Sequence, residues 1–188
     1  MATELNPRYL RILGNTFERH TRVEMMPLDL ADFDPAPLWA RHLDTIVCLN
    51  VLEHIEDDRG VLRRLHDSLA PGGRLLLLVP AHQWLFGSID RAIDHHRRYE
   101  RAGLVRKLEE AGFLVEHTQF FNRLGVLGWW LNGKILGRTR VPGFQLHLQN
   151  LLVPLLRAEM YAPLPFGLSL VAVARRAGDP STEVGRAV

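Results

Sequence analysis

The densest run of reactive side chains is Asp94-His95-His96-Arg97-Arg98-Tyr99, with His82 and Trp84 a short way upstream and His54 further back. Histidine changes charge near neutral pH, so His54, His82, His95 and His96 are the natural bases of this chain. A cluster of donors, acceptors and charges on a connecting segment is more often functional than one spread over a helix face. Asp94-His95-His96 also has the residue types of a metallophosphoesterase ligand set. It follows Ser88-Ile89-Asp90-Arg91-Ala92-Ile93 rather than a buried strand, and no second carboxylate or histidine cluster completes a shell, so no metal is expected.

The elements that must position these residues alternate between strand and helix. The first residues read as the end of a strand, after which Asn6 caps a helix that has Pro7 in its first turn and Leu10, Ile12, Leu13 and Phe17 as its apolar side. Val23 to Met26 is a short strand. Leu43 to Leu49 is a near-continuous apolar strand, a pattern that calls for cover on both faces. Arg59 to Leu69 has helical spacing, Pro71-Gly72-Gly73 makes a sharp turn, and Arg74 to Val79 is another apolar strand. Leu104 to Ala111 repeats the helix, Gly112 closes it, and Phe113 to Phe120 is the next strand. Two apolar helical stretches follow, Leu124 to Leu136 and Phe144 to Met160, then a last strand from Leu168 to Ala174. The expectation is a doubly wound α/β fold with a mostly parallel sheet, one unit over residues 1–176 and a disordered tail over 177–188.

Bulk composition removes several function classes. With 188 residues, 47% hydrophobic, the chain is long enough for one core and short for two ordinary domains. The net charge of +2 comes from scattered arginines, so no nucleic-acid groove is marked. Cys48 is the single cysteine and sits in an apolar run, which fits an inert core thiol in a reducing cytoplasm. Met1 to Pro7 lacks a basic region followed by an apolar stretch, so no signal peptide is expected. Asn132, Lys134 and Arg157 interrupt the best apolar stretches before they reach the roughly 20 residues of a membrane span.

Three blocks of sequence, Asp44-Thr45-Ile46-Val47-Cys48-Leu49-Asn50-Val51-Leu52-Glu53-His54-Ile55, Leu69-Ala70-Pro71-Gly72-Gly73-Arg74-Leu75 and Glu109-Glu110-Ala111-Gly112-Phe113, resemble class I S-adenosylmethionine-dependent methyltransferases in order and spacing. The resemblance runs from Met1 to about Ala174 and implies a Rossmann-like sheet whose last strand, Leu168 to Ala174, is antiparallel. It implies S-adenosylmethionine as cofactor, lying across the carboxyl ends of the strands. Glu4, with Leu5, matches the acidic residue that accepts from the ribose hydroxyls. Asp29, with Leu30, matches the one near the adenine, and Leu49, Asn50 and Val51 run along the donor. The family's glycine-rich turn after the first strand is not in this chain. The expectation is therefore an N-terminally truncated domain in which the absent strand would lie between those ending near Glu4 and Leu49, leaving two unpaired interior edges.

Methyl transfer needs an aligned acceptor and, for oxygen or nitrogen, removal of a proton. The acceptor-side candidates are His54, His96 and Tyr99 for catalysis and His82, Trp84, His95 and Arg97 for substrate contact, while His54 also reads as a brace for its loop. The acceptor is expected to be a small or lipid-linked molecule. Trp129-Trp130 and Leu146, Leu148, Leu151, Leu152, Leu155 and Leu156 read as packing against the sheet, with an apolar acceptor pocket or a peripheral membrane contact as the other readings. Two rivals stand beside the methyltransferase. A non-catalytic module of the same fold is motivated by the missing glycine turn. A nicotinamide-dependent dehydrogenase shares an acidic residue after its second strand but is not expected to carry Asn50 to His54 beside Pro71-Gly72-Gly73.

Overall fold

The computed structural model describes residues 1–140, 143 and 165–178. The expected helical stretch over 144–160 and, from 179 on, the expected tail over 177–188 lie outside the described residues. Where the sequence suggests one unit, contacts divide the chain into two compact units, Met1–Asp34 and the remainder from Pro35.

In the first unit, strands β1 (Ala2–Glu4) and β2 (Met25–Pro27) pair in parallel, Ala2 opposite Met25 and Glu4 opposite Pro27. Helix α1 (Pro7–Phe17) connects them. The Asn6 side chain accepts from the Arg8 amide at 2.9 Å, so the expected cap is present.

The second unit opens with a single turn, α2 (Ala36–Trp39), and strand β3 (Leu43–Leu49). Helix α3 (Asp58–Ser68) is capped by the Asp57 side chain, which accepts from the Gly60 amide at 2.9 Å. Strand β4 (Leu69–Pro80) starts directly after it. The expected turn at Pro71-Gly72-Gly73 is a bulge inside this strand, because Leu69 already pairs with Leu43 before the ladder resumes at Thr45 and Arg74. A short helix α4 (Ser88–Ala92), helix α5 (Arg101–Glu110), strand β5 (Phe113–Phe121), helix α6 (Arg123–Trp130), a π-helical turn (Leu131–Ile135) and strand β6 (Ser169–Arg176) complete it.

The sheet order is β3-β4-β6-β5, with β3 and β4 parallel and β6 antiparallel to both its neighbours. The core forms where α3 (Val61, Leu62, Leu65) and α5 (Leu104, Leu108) supply buried leucine and valine, together with Leu75, Leu77 and Val79 of β4 and Leu170, Ala172 and Ala174 of β6. Among the described residues of the second unit, β3 is covered on one face, not on both as expected. Cys48 is buried at 5% exposure, whereas Val47 and Leu49, which alternate with it, are 59% and 53% exposed. Among the described residues no helix is long and apolar enough to cross a membrane.

Candidate functional site

Parallel strands β3 and β4 end at Leu49 and Pro80, and the chain diverges there. Asn50 leaves β3 with φ 52°, its amide donating to the Leu78 carbonyl at 2.9 Å, so the backbone turns sharply as it quits the sheet. Asparagine tolerates this left-handed region better than most residues. Leu52–His54 then form one 3-10 turn, which buries Leu52 and Glu53 and leaves His54 exposed. A cavity of about 340 Å³ opens at this point, lined by Asn50, Glu53, His54, His95, Arg98 and Trp129 among others.

Asp90 organises one wall of the cavity. Its carboxylate is fully buried and accepts four hydrogen bonds: from the Gly87 amide at 2.9 Å, Trp129 Nε1 at 3.0 Å, Arg98 Nε at 2.7 Å and His95 Nδ1 at 3.0 Å. These bonds and the Arg98 charge outweigh the effect of burial, so the Asp90 carboxyl lies below the ordinary range. Because a carboxylate only accepts, His95 Nδ1 carries the proton and Nε2 faces Glu53, whose Oε1 is 3.7 Å away. Arg98 also donates to the Ala81 carbonyl at 3.1 Å and stacks over the Trp129 ring at 4.6 Å.

Glu53 is 0% exposed, and neither of its carboxylate oxygens has a hydrogen-bond partner among the described residues. Burial pushes its carboxyl above the ordinary range despite His95 and Arg98 nearby. The His54 ring packs edge-on against that of His95 at 4.6 Å between centroids, and desolvation followed by the His95 charge lowers its pKa. The His96 amide donates to the Glu53 carbonyl at 2.8 Å, tying the segment after α4 to the turn after β3.

Of the acceptor-side residues expected from sequence, the fold brings His54 and His95 to this cavity. Tyr99 goes elsewhere. It is 3% exposed, and its hydroxyl donates to Asp58 Oδ2 at 3.0 Å, where Arg97 Nη1 lies at 2.9 Å and Lys107 Nζ also pairs. Burial and the Asp58 charge push the Tyr99 hydroxyl well above its ordinary pKa. Tyr99 and Arg97 thus meet α3 through Asp58. His82 is stacked on Phe120 at 4.8 Å with Nδ1 3.3 Å from Glu100 Oε2, and His96 does not line the cavity. Trp84 lines a separate apolar cleft of about 380 Å³ with Leu124, Leu127, Trp130 and Phe166. Arg98 belongs to the reactive run singled out in the sequence, and a pocket is one reading of Trp129; what sequence reasoning missed is Asp90 as the buried acceptor that joins them. Glu53 and His54 also come together with His95 as a group of ligand-type side chains, a grouping that the spacing of the sequence did not suggest.

In the first unit, Glu4 closes β1 and its Oε1 accepts the Asn6 amide at 2.8 Å. Asp29 follows β2, and its Oδ1 accepts the Ala31 amide at 2.9 Å. Both carboxylates stand at the carboxyl ends of their strands, with Leu5 and Leu30 beside them.

Comparison with known proteins gives a consistent frame. The family described as a methyltransferase domain matches residues 1–75. A ubiquinone biosynthesis O-methyltransferase of Aeromonas salmonicida is 28% identical over 85 residues, which are 38% of this chain and 36% of that protein. A Mycolicibacterium smegmatis protein named as a probable S-adenosylmethionine-dependent methyltransferase is 31% identical over 102 residues, 53% of this chain and 38% of its own length. The chain therefore spans well under half of the curated relatives it matches. Among solved structures, a Bacillus halodurans protein assigned as a methyltransferase superposes with a TM-score of 0.60 at 18% identity, covering 94% of this chain and 82% of that one. The [4+2]-cyclase SpnF superposes at 0.58 and 16% identity, covering 94% and 65%. The same fold thus carries more than one reaction. The chain has an α/β Rossmann-like fold of the class I S-adenosylmethionine-dependent methyltransferase type, with a mixed parallel and antiparallel sheet.

Proposed function

We propose that this chain works as an S-adenosylmethionine-dependent methyltransferase, or as the part of one that holds the acceptor. The observation that carries the reading is the cavity at the carboxyl ends of β3 and β4, walled by two imidazoles and an indole, in a fold of the methyltransferase type. Ligands of open α/β sheets bind at that end of the strands.

The first unit by itself carries carboxylates whose chemistry suits the donor. Glu4 is held in place by the Asn6 amide and keeps lone pairs for a ribose diol, and Asp29 offers the same chemistry to an amino group. In the second unit, taken by itself, Leu49 and Asn50 are exposed and Val51 is half-buried after β3. When bound, S-adenosylmethionine supplies a methyl group activated by its sulfonium.

The acceptor reads as a small or lipid-linked molecule methylated on oxygen. Oxygen is supported by the relatives named as ubiquinone biosynthesis O-methyltransferases. An apolar tail is supported by α6, which gives Trp129 to the cavity and Trp130 to the apolar cleft. In this reading His54, at the exposed side of the cavity, takes the acceptor's proton, while His95 and Arg98 belong to the cavity wall. A cytoplasmic setting and a peripheral membrane contact belong to the same proposal.

A second reading, a non-catalytic module of this fold, is favoured by Val47 and Leu49, which expose apolar surface on β3. Calorimetric titration with S-adenosylhomocysteine separates the two. Micromolar binding that is lost in Glu4→Ala supports the enzyme. A folded chain that binds none, and transfers no labelled methyl group to hydroxylated aromatics, overturns it in favour of the module.

A further inference from the structure

Glu53, His54 and His95 each place a ligating atom so that all lie within 4.8 Å of one another. Two of the three side chains are withdrawn from water, Glu53 at 0% and His95 at 7% exposure. A carboxylate with no donor from any other described residue is costly to bury unless something positive meets it. The surrounding charge does not remove that need. Arg98, whose charge bears on Glu53, directs its Nε to Asp90 and its Nη1 to the Ala81 carbonyl, and Asp90 adds a second buried carboxylate to the same wall.

We propose that Glu53, His54 and His95 form a binding site for a divalent first-row transition-metal ion, with open positions facing the cavity. One carboxylate and two imidazoles are the donor set of open-sided zinc and iron centres, and they suit Zn²⁺, Mn²⁺, Fe²⁺ or Co²⁺ better than the all-oxygen shells of Ca²⁺ and Mg²⁺. Two ligands held about 2.1 Å from one ion stand roughly 3 to 3.5 Å apart. His95 Nε2 and Glu53 Oε1, at 3.7 Å, need only a small adjustment. His54 is exposed and supplies the remaining movement by side-chain rotation.

The outer contacts match this role. His95 Nδ1 donates to the Asp90 carboxylate at 3.0 Å, the bond that fixes the tautomer and aims Nε2 at a metal. With a metal bound, His54 serves as a ligand in place of its role as base, and the open positions would take an oxygen of the acceptor and ease loss of its proton to solvent. That last role rests on the methyltransferase reading; the metal site does not.

The test uses the full chain, stripped with a chelator, dialysed, and titrated calorimetrically with Zn²⁺ and Mn²⁺, with Co²⁺ absorption spectra recorded in parallel. One ion per chain is expected at micromolar or tighter affinity, with visible Co²⁺ bands of four- or five-coordinate geometry. Glu53→Gln and His54→Ala are each expected to weaken binding at least tenfold, and His117→Ala, on the exposed part of β5, to leave it unchanged. If Glu53→Gln fails to fold, the exposed His54 still decides. Millimolar affinity in the parent chain, or binding that both site variants retain, overturns the site. S-adenosylhomocysteine titration, run without metal, reports separately on the methyltransferase reading.

Discussion

The Nδ1 atom of His95 lies 3.0 Å from Oδ1 of Asp90, and the same carboxylate oxygen takes Arg98 Nε at 2.7 Å. One buried acid therefore orients the imidazole of the cavity and neutralises the guanidinium behind it. Asp90→Ala is expected to destabilise the fold by about 3 to 5 kcal/mol, because it strands the Arg98 charge in the interior. Urea denaturation measures this, and a loss under about 1 kcal/mol would show that Arg98 finds another partner.

Asp58 gives the fold an acid-sensitive component. Burial raises its pKa, but hydrogen bonds from Lys107, Arg97 and Tyr99 outweigh that effect, and the folded carboxyl titrates below its ordinary value. The unfolded chain then takes up the proton first, so the stabilisation is complete above the unfolded pKa of about 3.9 and is lost as pH falls through the lower folded value. The stability difference between the parent chain and Asp58→Asn is expected to be flat from neutral pH to about 5 and to shrink below about 4. A difference that widens on acidification would contradict the sign.

Gly167 precedes β6 at a point where the backbone leaves no room for a side chain. A Cβ there would sit 2.5 Å from the Phe121 carbonyl oxygen and 2.7 Å from its amide nitrogen. Gly167→Ala is expected to cost about 1 to 3 kcal/mol and to lower the melting temperature, since a backbone cannot step aside as a side chain can. An unchanged melting curve would mean that β6 starts elsewhere.

The two faces of the sheet make a paired prediction. Leu77 is 1% exposed and Val47 is 59% exposed on the neighbouring strand. Leu77→Ala is expected to cost about 2 to 5 kcal/mol, and Val47→Ala to stay within about 0.5 kcal/mol. Comparable losses in thermal unfolding would place a cover over β3.

Cys48 is expected to resist thiol reagents in the native chain. Burial, then the Glu53 charge, pushes its thiol up to about 12, and only the thiolate reacts. Labelling with a chromogenic disulfide should proceed at the rate of opening and become fast in denaturant. Rapid labelling under native conditions would be the contrary result.

The sequence was legible wherever the controlling interactions are local. Asn6 marks the start of α1 because its side chain reaches an amide two residues on, and Gly112 closes α5 with φ 96°, a conformation that favours glycine. The segments that became β3 and β5 were legible as short runs rich in apolar and β-branched residues. Pro71-Gly72-Gly73 misled for the same reason. Its composition is that of a turn, and only the pairing of Leu69 with Leu43 makes it a bulge within β4.

Sequence by itself determined the alternation of elements, the antiparallel last strand implied by the family resemblance, and the short region that holds the reactive histidines. Tertiary structure decided which of those residues meet. It set Glu53 beside His95 and drew Tyr99 and Arg97 away to Asp58. It also stacked His82 on Phe120 and left Val47 and Leu49 uncovered. Helix caps and strand periods are fixed by neighbours within a few residues along the chain. A buried carboxylate finds its partners through the sheet order and the path of the connecting segments, which no local spacing encodes.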